Sequence, residues 1–208
     1  MLSSYIFIIL TFIPAFVGTV TFKKYKHTFL KYFLFFLWYT CFTESAAFYI
    51  GTIPKQSTSF IYNFYALVNV FFYFFLFKFY IKKNIIYIKV FFTLFLLFFL
   101  YDFFVIQDSI NRIQTYSFLF AFLFNSLGII MLLFELLKSD LILKMNKLLL
   151  FWICTGTLLF YIGIIPIQIM AKFFNYRGLF DYIILGLNII MYGFFTIGFI
   201  ISKKEYNK

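Results

Sequence analysis

The chain has 208 residues, of which 64% are hydrophobic and only 12% are charged, and its mean hydropathy is +0.98. Soluble domains are close to half apolar and a quarter charged, so this composition excludes a soluble protein of one or two domains. The net charge of +11 comes from basic residues in short loops between apolar blocks. Membrane topology explains that placement better than nucleic-acid binding, and we expect a polytopic membrane protein without a nucleic-acid partner.

Seven apolar blocks are each about 20 residues long, which is the length needed to cross roughly 30 Å of hydrocarbon. Lipid offers no partner for an unpaired backbone group, so each block is predicted to be an α-helix. The chain is therefore predicted to form a single all-α domain, residues 1–208, with seven transmembrane helices. The predicted helices are Leu2–Phe22, Tyr32–Ile50, Phe60–Ile81, Ile85–Phe104, Thr115–Leu137, Leu148–Ile169 and Leu179–Ile201.

The distribution of Lys and Arg predicts the orientation, because basic residues accumulate in cytoplasmic loops. One set of helix ends carries 14 of the 18 basic residues, and the other carries four, Lys55, Arg112, Lys172 and Arg177. We expect the amino terminus outside and the carboxyl terminus in the cytoplasm, in a multi-pass protein of the bacterial inner membrane. The 14 residues are Lys23, Lys24, Lys26, Lys31, Lys78, Lys82, Lys83, Lys89, Lys138, Lys144, Lys147, Lys203, Lys204 and Lys208.

An internal repeat is indicated by two short patterns. Residues 48–54 read FYIGTIP and residues 160–166 read FYIGIIP, so six of seven positions are identical. The third and seventh predicted helices share Asn-x-x-x-Tyr, at residues 69–73 and 188–192. Gly, Pro and Asn are scarce in this chain, and their alignment favours a repeat over chance. Residues 1–83 and 115–208 are predicted to be parallel copies joined by a linker helix, 85–104, in a 3+1+3 plan.

Polar residues near the centres of the helices are the candidates for function, because each is costly in hydrocarbon. Glu44 in helix 2 is the main candidate, since a lone carboxylate is poor at holding helices together. An Asn by itself is more typical of interhelical hydrogen bonding. Helical spacing of i, i+7 and i+11 places further polar residues on one face of helix 3 and one face of helix 7. The predicted ligand-binding residues are Glu44, Tyr62, Asn69, Tyr73, Asn125, Asp181 and Asn188.

Other residues that could carry chemistry are given structural interpretations. The single histidine, His27, and two separated cysteines do not form a metal or redox cluster, so we expect no enzyme activity, cofactor or metal. Asp102 and Asp108 are predicted to be solvated at or beyond the outer end of helix 4, and Glu135 to snorkel or pair with Lys138. Asp181 is predicted to lie at the mouth of a pocket and to pair with Arg177, four residues earlier. The 38 Phe and 17 Tyr residues are attributed to codon bias and lipid contact.

Two motifs carry a resemblance to known proteins. Trp152 with Phe160, Tyr161 and Gly163 in helix 6, and the segment 187–192 of helix 7, resemble seven-helix membrane proteins of Bacteroidetes. Some members of that group form the membrane portion of sensor histidine kinases or occur beside such kinases. The resemblance implies a sensory role here. This chain has no kinase domain after its last helix, so we expect its output to need a protein partner.

The 3+1+3 plan is also similar to that of sugar and vitamin transporters of the PQ-loop and PnuC type. The Pro-Gln pair of those sugar transporters is missing from helices 1 and 5, where Pro14 has no adjacent Gln. We therefore expect a non-enzymatic sensor or accessory subunit that binds a small ligand or protein partner in an outward-facing polar pocket. The alternatives are a secondary transporter with Glu44 as a proton-coupling carboxylate, or a structural subunit of a larger membrane complex.

Overall fold

The computed structural model describes residues 2–83, 85–106, 112–170 and 177–207, and the regular structure in these ranges is entirely helical. The prediction of an all-α fold is confirmed, and each predicted helix is present with ends shifted by a few residues. The helices are α1 (Leu2–Val20), α2 (Lys31–Thr52), α3 (Ser59–Tyr80), α4 (Ile85–Tyr101), α5 (Thr115–Leu137), α6 (Leu149–Met170) and α7 (Arg177–Ile201).

The helices have the length and hydropathy of membrane-spanning segments. Six of them qualify, where α4 is counted with the turn that follows it, and α1 contributes a shorter apolar stretch, Tyr5–Val20. Large apolar side chains such as Phe16 and Phe42 are exposed on the outside of the bundle. Apolar helices with apolar outer faces indicate a multi-pass membrane protein whose surface contacts lipid.

Six of the helices close into a ring. Around it, α1 packs against α2, α2 against α3, α3 against α5, α5 against α6, α6 against α7, and α7 against α1. The remaining helix, α4, lies outside this ring and packs against α3 and α5. The ring leaves space along its axis, and that space contains the candidate site.

We call the end of the bundle that contains Lys24, Lys147 and Lys203 the Lys-rich end. Bonds between loops and helix termini hold this end together. The Lys24 Nζ donates to the carbonyl oxygens of Phe199 and Ile200, at 3.1 and 2.7 Å, at the carboxyl end of α7. A cation suits the unpaired carbonyls of a helix terminus. The Lys203 backbone N–H donates to the Lys147 carbonyl at 3.0 Å.

Glu135 also belongs to the Lys-rich end. Its carboxylate accepts hydrogen bonds from the backbone N–H groups of Lys82 and Lys83, at 3.3 and 3.2 Å. The predicted snorkelling or lysine pairing is thus replaced by a bond to the loop between α3 and α4. This carboxylate fixes a loop at the surface of the bundle, away from its axis.

Asp102, at the opposite, Lys-poor end, is buried, and its predicted solvation is wrong. The Ser117 hydroxyl and backbone N–H donate to its Oδ2, at 2.6 and 3.2 Å. A π-helical turn, Asp102–Ile106, continues α4 and brings Asp102 beneath the first turn of α5. The backbone N–H groups in the first turn of α5 need acceptors, and the Asp102 carboxylate supplies one. The Arg177 side chain lies outside the described residues, and so does its predicted pairing with Asp181. The same holds for Asp108, Lys172 and Lys208.

The two copies of the FYIG motif end differently. In the first copy α2 ends at Thr52, the Lys55 φ of 52° turns the chain, and the Gln56 N–H donates to the Ile50 carbonyl. In the second copy α6 continues through Pro166 to Met170. A proline removes one backbone hydrogen bond but can remain inside a transmembrane helix. The similar sequences therefore have different backbone structures at their carboxyl ends.

Two glycines provide a matched test of the interface between α6 and α7. A Cβ on Gly156 would lie 2.7 Å from the Phe194 Cβ and 3.1 Å from the Met191 carbonyl oxygen, whereas one on Gly193 would have nothing within 4 Å. We expect Gly156→Ala to lower the free energy of unfolding by about 1–3 kcal/mol through overpacking. Gly193→Ala should be neutral or stabilising by up to about 1 kcal/mol. Thermal unfolding in detergent measures both; equal midpoints would contradict this helix packing.

Candidate functional site

A cavity of about 170 Å³ lies inside the ring and is lined by residues of α2, α3, α5, α6 and α7. We call it the inner cavity. Ten of its nineteen lining residues are aromatic, and one, Glu44, is acidic. The lining consists of Phe36, Leu37, Thr40, Glu44, Tyr62, Tyr65, Ala66, Asn69, Tyr73, Phe118, Ala121, Phe122, Thr157, Phe160, Tyr161, Asn188, Met191, Tyr192 and Phe195.

Glu44 and Tyr62 lie between the inner cavity and a second cavity. The Tyr62 hydroxyl donates to the Glu44 Oε2 at 3.3 Å, which is longer than the usual upper limit of about 3.0 Å for such a bond. The second cavity, which we call the outer cavity, measures about 380 Å³. Its lining comes from α1, from the carboxyl end of α2 and from the start of α3: Phe7, Glu44, Ala47, Phe48, Gly51, Thr52, Thr58 and Tyr62.

A triangle of hydrogen bonds connects three helices beside the inner cavity. The Asn125 Nδ2 donates to the Asn69 Oδ1 at 2.8 Å and to the Tyr161 hydroxyl at 3.1 Å. The Tyr161 hydroxyl donates in turn to the Asn69 Oδ1 at 3.0 Å. The triangle links α3, α5 and α6, and Asn125 itself is fully buried behind the cavity wall. These bonds give Asn69 and Asn125 a role in holding the helices together.

The inner cavity is closed towards the Lys-rich end. The Tyr73 hydroxyl and the Thr157 Oγ1 are 2.9 Å apart and connect α3 to α6 across the ring. On each lining helix, one or two apolar residues that lie nearer the Lys-rich end are at most 1% exposed. This packed layer, which we call the floor, consists of Phe33, Leu76, Phe77, Ile129, Leu132, Leu149, Ile153 and Phe199.

The structure brings most of the predicted ligand-binding residues to one place. Glu44, Tyr62, Asn69, Tyr73 and Asn188 line the inner cavity, and Asn125 bonds to two residues that do. The Asn188 Nδ2 also donates to the Ile184 carbonyl of its own helix at 2.8 Å.

Asp181 is the predicted ligand-binding residue that does not join this group. It is exposed on α7 and lines neither the inner nor the outer cavity. The reason is the position of the outer cavity, which is formed by α1, α2 and α3, whereas Asp181 lies near the start of α7. Helical spacing aligned Asp181 with Asn188 and Tyr192, but spacing within one helix cannot locate the mouth of a cavity.

Sequence analysis missed the aromatic residues of the inner cavity apart from Tyr62 and Tyr73. Tyr65 follows Tyr62 by three residues and precedes Asn69 by four, so helical spacing places all three on one face of α3. The Tyr65 hydroxyl is 3.3 Å from the Thr40 Oγ1 of α2. That spacing was available as a signal, but the abundance of aromatic residues in the chain concealed it.

No family model, curated protein or solved structure matches the chain. Within the part of the chain that the structure describes, no three His, Cys, Asp or Glu residues are grouped closely enough to hold a metal ion. Cys41 and Cys154 are both free thiols and buried. The function must therefore be inferred from the inner cavity and its access route.

The hydrogen-bonded triangle leads to a stability prediction. Tyr161→Phe removes one hydroxyl and leaves two Asn side chains with an incomplete set of partners, so the free energy of unfolding should fall by about 1 kcal/mol. Tyr182→Phe is the matched control, because Tyr182 is 76% exposed and can lose its hydroxyl at little cost. Thermal unfolding of both variants in the same detergent measures the difference. A Tyr161→Phe midpoint equal to that of the control would show that the triangle does not contribute to stability.

Proposed function

We propose that the protein is a non-enzymatic membrane sensor or accessory subunit that binds a small ligand in the inner cavity and acts through a protein partner. The observation that carries the proposal is the position of Glu44 and Tyr62, which line both cavities. A ligand that enters from the Lys-poor end meets this pair before it reaches the aromatic wall. Concave, largely apolar cavities with a few converging polar groups are typical ligand sites.

The floor supports binding in preference to passage. Its residues come from α2, α3, α5, α6 and α7, lie between the Tyr73–Thr157 contact and the Lys-rich end, and are each at most 1% exposed. The Glu135 carboxylate is engaged by the loop between α3 and α4. A ligand in the inner cavity would therefore have to leave by the route through which it entered.

The orientation is part of the proposal. We infer that the Lys-rich end faces the cytoplasm and the Lys-poor end the exterior of a bacterial inner membrane, because basic residues accumulate in cytoplasmic loops. The outer cavity then opens to the outside. The partner would contact the cytoplasmic side, where the carboxyl end of α7 meets the loops at Lys24 and Lys147.

The transport of a small solute, with Glu44 as a proton-coupling carboxylate, is the second candidate, and the order of helices in the ring favours it. In a parallel repeat, α1, α2 and α3 correspond to α5, α6 and α7. The contact of α3 with α5 then corresponds to the contact of α7 with α1, and both contacts are present. This order is compatible with the parallel 3+1+3 repeat, an architecture of several transporters. A transporter requires a second conformation in which the floor opens.

Cysteine accessibility separates the two candidates. In a background with Cys41 and Cys154 replaced by Ala, single cysteines are introduced at Thr58 in the outer cavity, Thr40 in the inner cavity and Ile153 in the floor. A small, membrane-impermeant methanethiosulfonate reagent is applied to right-side-out or to inverted vesicles. For a sensor, Thr58→Cys and Thr40→Cys should be labelled from the outside only, with the deeper position slower. Ile153→Cys should not react from either side.

The contrary results are equally definite. Labelling of Thr40→Cys from both sides would favour the transporter. Labelling of Thr58→Cys from the cytoplasmic side alone would reverse the orientation. Failure of Thr40→Cys to react from either side, while Thr58→Cys reacts, would show that the inner cavity is closed to ligands, and would overturn the proposal.

A further inference from the structure

We propose that the ligand of the inner cavity is a small organic cation, an amine or quaternary ammonium with one ring or a few carbon atoms. This inference rests on the proposed function and specifies the chemical class of the ligand. Three features of the inner cavity carry it: one carboxylate without a basic neighbour in the lining, a wall of aromatic rings, and a volume that limits the size of the occupant.

The lining of the inner cavity contains one acidic side chain and no basic side chain to pair with it. Glu44 is the acidic residue, and the eighteen other lining residues are apolar, aromatic, hydroxyl or amide residues. A carboxylate offers about four acceptor sites on two oxygens, whereas the protein supplies Glu44 with the single, long bond from Tyr62. In a low-dielectric site a lone carboxylate attracts a cation strongly and repels an anion.

The aromatic wall favours the same charge. Rings from α2 and α3 lie close together, with centroids 6.0 Å apart for Phe36 and Tyr65, and those of Phe122 and Tyr161, from α5 and α6, are 5.2 Å apart. The faces of Phe and Tyr rings carry negative electrostatic potential and attract ammonium groups, including quaternary ones that cannot donate hydrogen bonds. A neutral sugar would instead need many free hydrogen-bonding groups, whereas five of the ten rings are Phe and have none. Four of the five Tyr hydroxyls already have a partner within the protein, those of Tyr62, Tyr65, Tyr73 and Tyr161.

The volume sets the size. A cavity of about 150 Å³ holds one benzene ring, and the inner cavity measures about 170 Å³. A polyamine or a peptide would not fit without displacement of the floor. The outer cavity is larger, at about 380 Å³, and shares Glu44 and Tyr62 with the inner one. The carboxylate is therefore positioned to attract a cation from the outer cavity before the aromatic wall receives it.

Three probes of nearly equal size and different charge test the inference: benzylammonium, benzyl alcohol and benzoate. Binding is measured by isothermal titration calorimetry with the protein in nanodiscs of zwitterionic lipid, and empty nanodiscs provide the blank. We expect benzylammonium to bind at least about ten-fold more tightly than benzyl alcohol, and benzoate to bind least. Ala66→Leu, which fills part of the inner cavity, should weaken the binding of all probes that enter it.

Two carboxylate variants test which residue produces the preference for benzylammonium over benzyl alcohol. Glu44→Gln should abolish the preference of benzylammonium over benzyl alcohol and leave the binding of the alcohol nearly unchanged. Glu135→Gln removes a carboxylate outside the inner cavity and should leave the preference intact. Tyr62→Phe removes the single bond to Glu44 and keeps the carboxylate, so the preference should persist. If Glu44→Gln does not fold, the comparison of the three probes with the unmodified protein still decides whether the ligand is a cation.

The results distinguish this inference from the proposed function. If benzyl alcohol binds as tightly as benzylammonium, or benzoate binds most tightly, the ligand is not a cation, whereas the inner cavity remains a binding site. Persistence of the preference in Glu44→Gln would remove Glu44 from the proposal. Absence of binding by all three probes would overturn the cation inference. The labelling of Thr40→Cys tests the proposed function independently.

Discussion

The requirement that polar groups find partners inside the protein, because lipid supplies none, determines the structure. Most hydroxyl groups meet it within their own helix, as Thr43 and Thr155 do by donating to carbonyls four residues earlier. The amide nitrogen of Asn125 bonds to Asn69 between helices, and the Asp102 Oδ2 accepts from Ser117 at the start of α5, while the other oxygens of Asn125 and Asp102 are buried without a partner. Glu44 differs from Asn125 and Asp102 because it lines two cavities and has one long bond.

The two halves of the bundle serve different purposes. Towards the Lys-rich end, large apolar side chains fill the ring, and loop-to-terminus bonds fix the helix ends. Towards the Lys-poor end, the ring encloses two cavities that share one polar pair. Helix α7 belongs to both halves, because it lines the inner cavity and its carboxyl end accepts the bonds from Lys24.

Much of the fold could be predicted because bilayer thickness fixes helix length and leaves a clear pattern of apolar blocks. The polar residues of the site could be gathered by helical spacing, since each is rare in its helix. The aromatic wall could not be predicted in the same way: Tyr65 lines the cavity, whereas the adjacent Phe64 is 52% exposed, and composition does not distinguish them. Asp102 was misplaced because a π-helical turn has no hydrophobic signature. Asp181 was placed at a mouth whose location depends on which helices are neighbours.

Closure of the ring by α1 and α7 has a consequence for biosynthesis. Helix α1 is synthesised well before α7 and packs against it, and the bonds from Lys24 to Phe199 and Ile200 join positions 175 and 176 residues apart. Synthesis proceeds at about 5–20 residues per second, so α1 waits on the order of 10–40 s for its neighbour. During that interval Gly18 lacks the neighbour that Phe199 later provides. The inner cavity, which α7 helps to line, cannot form before α7 has been synthesised.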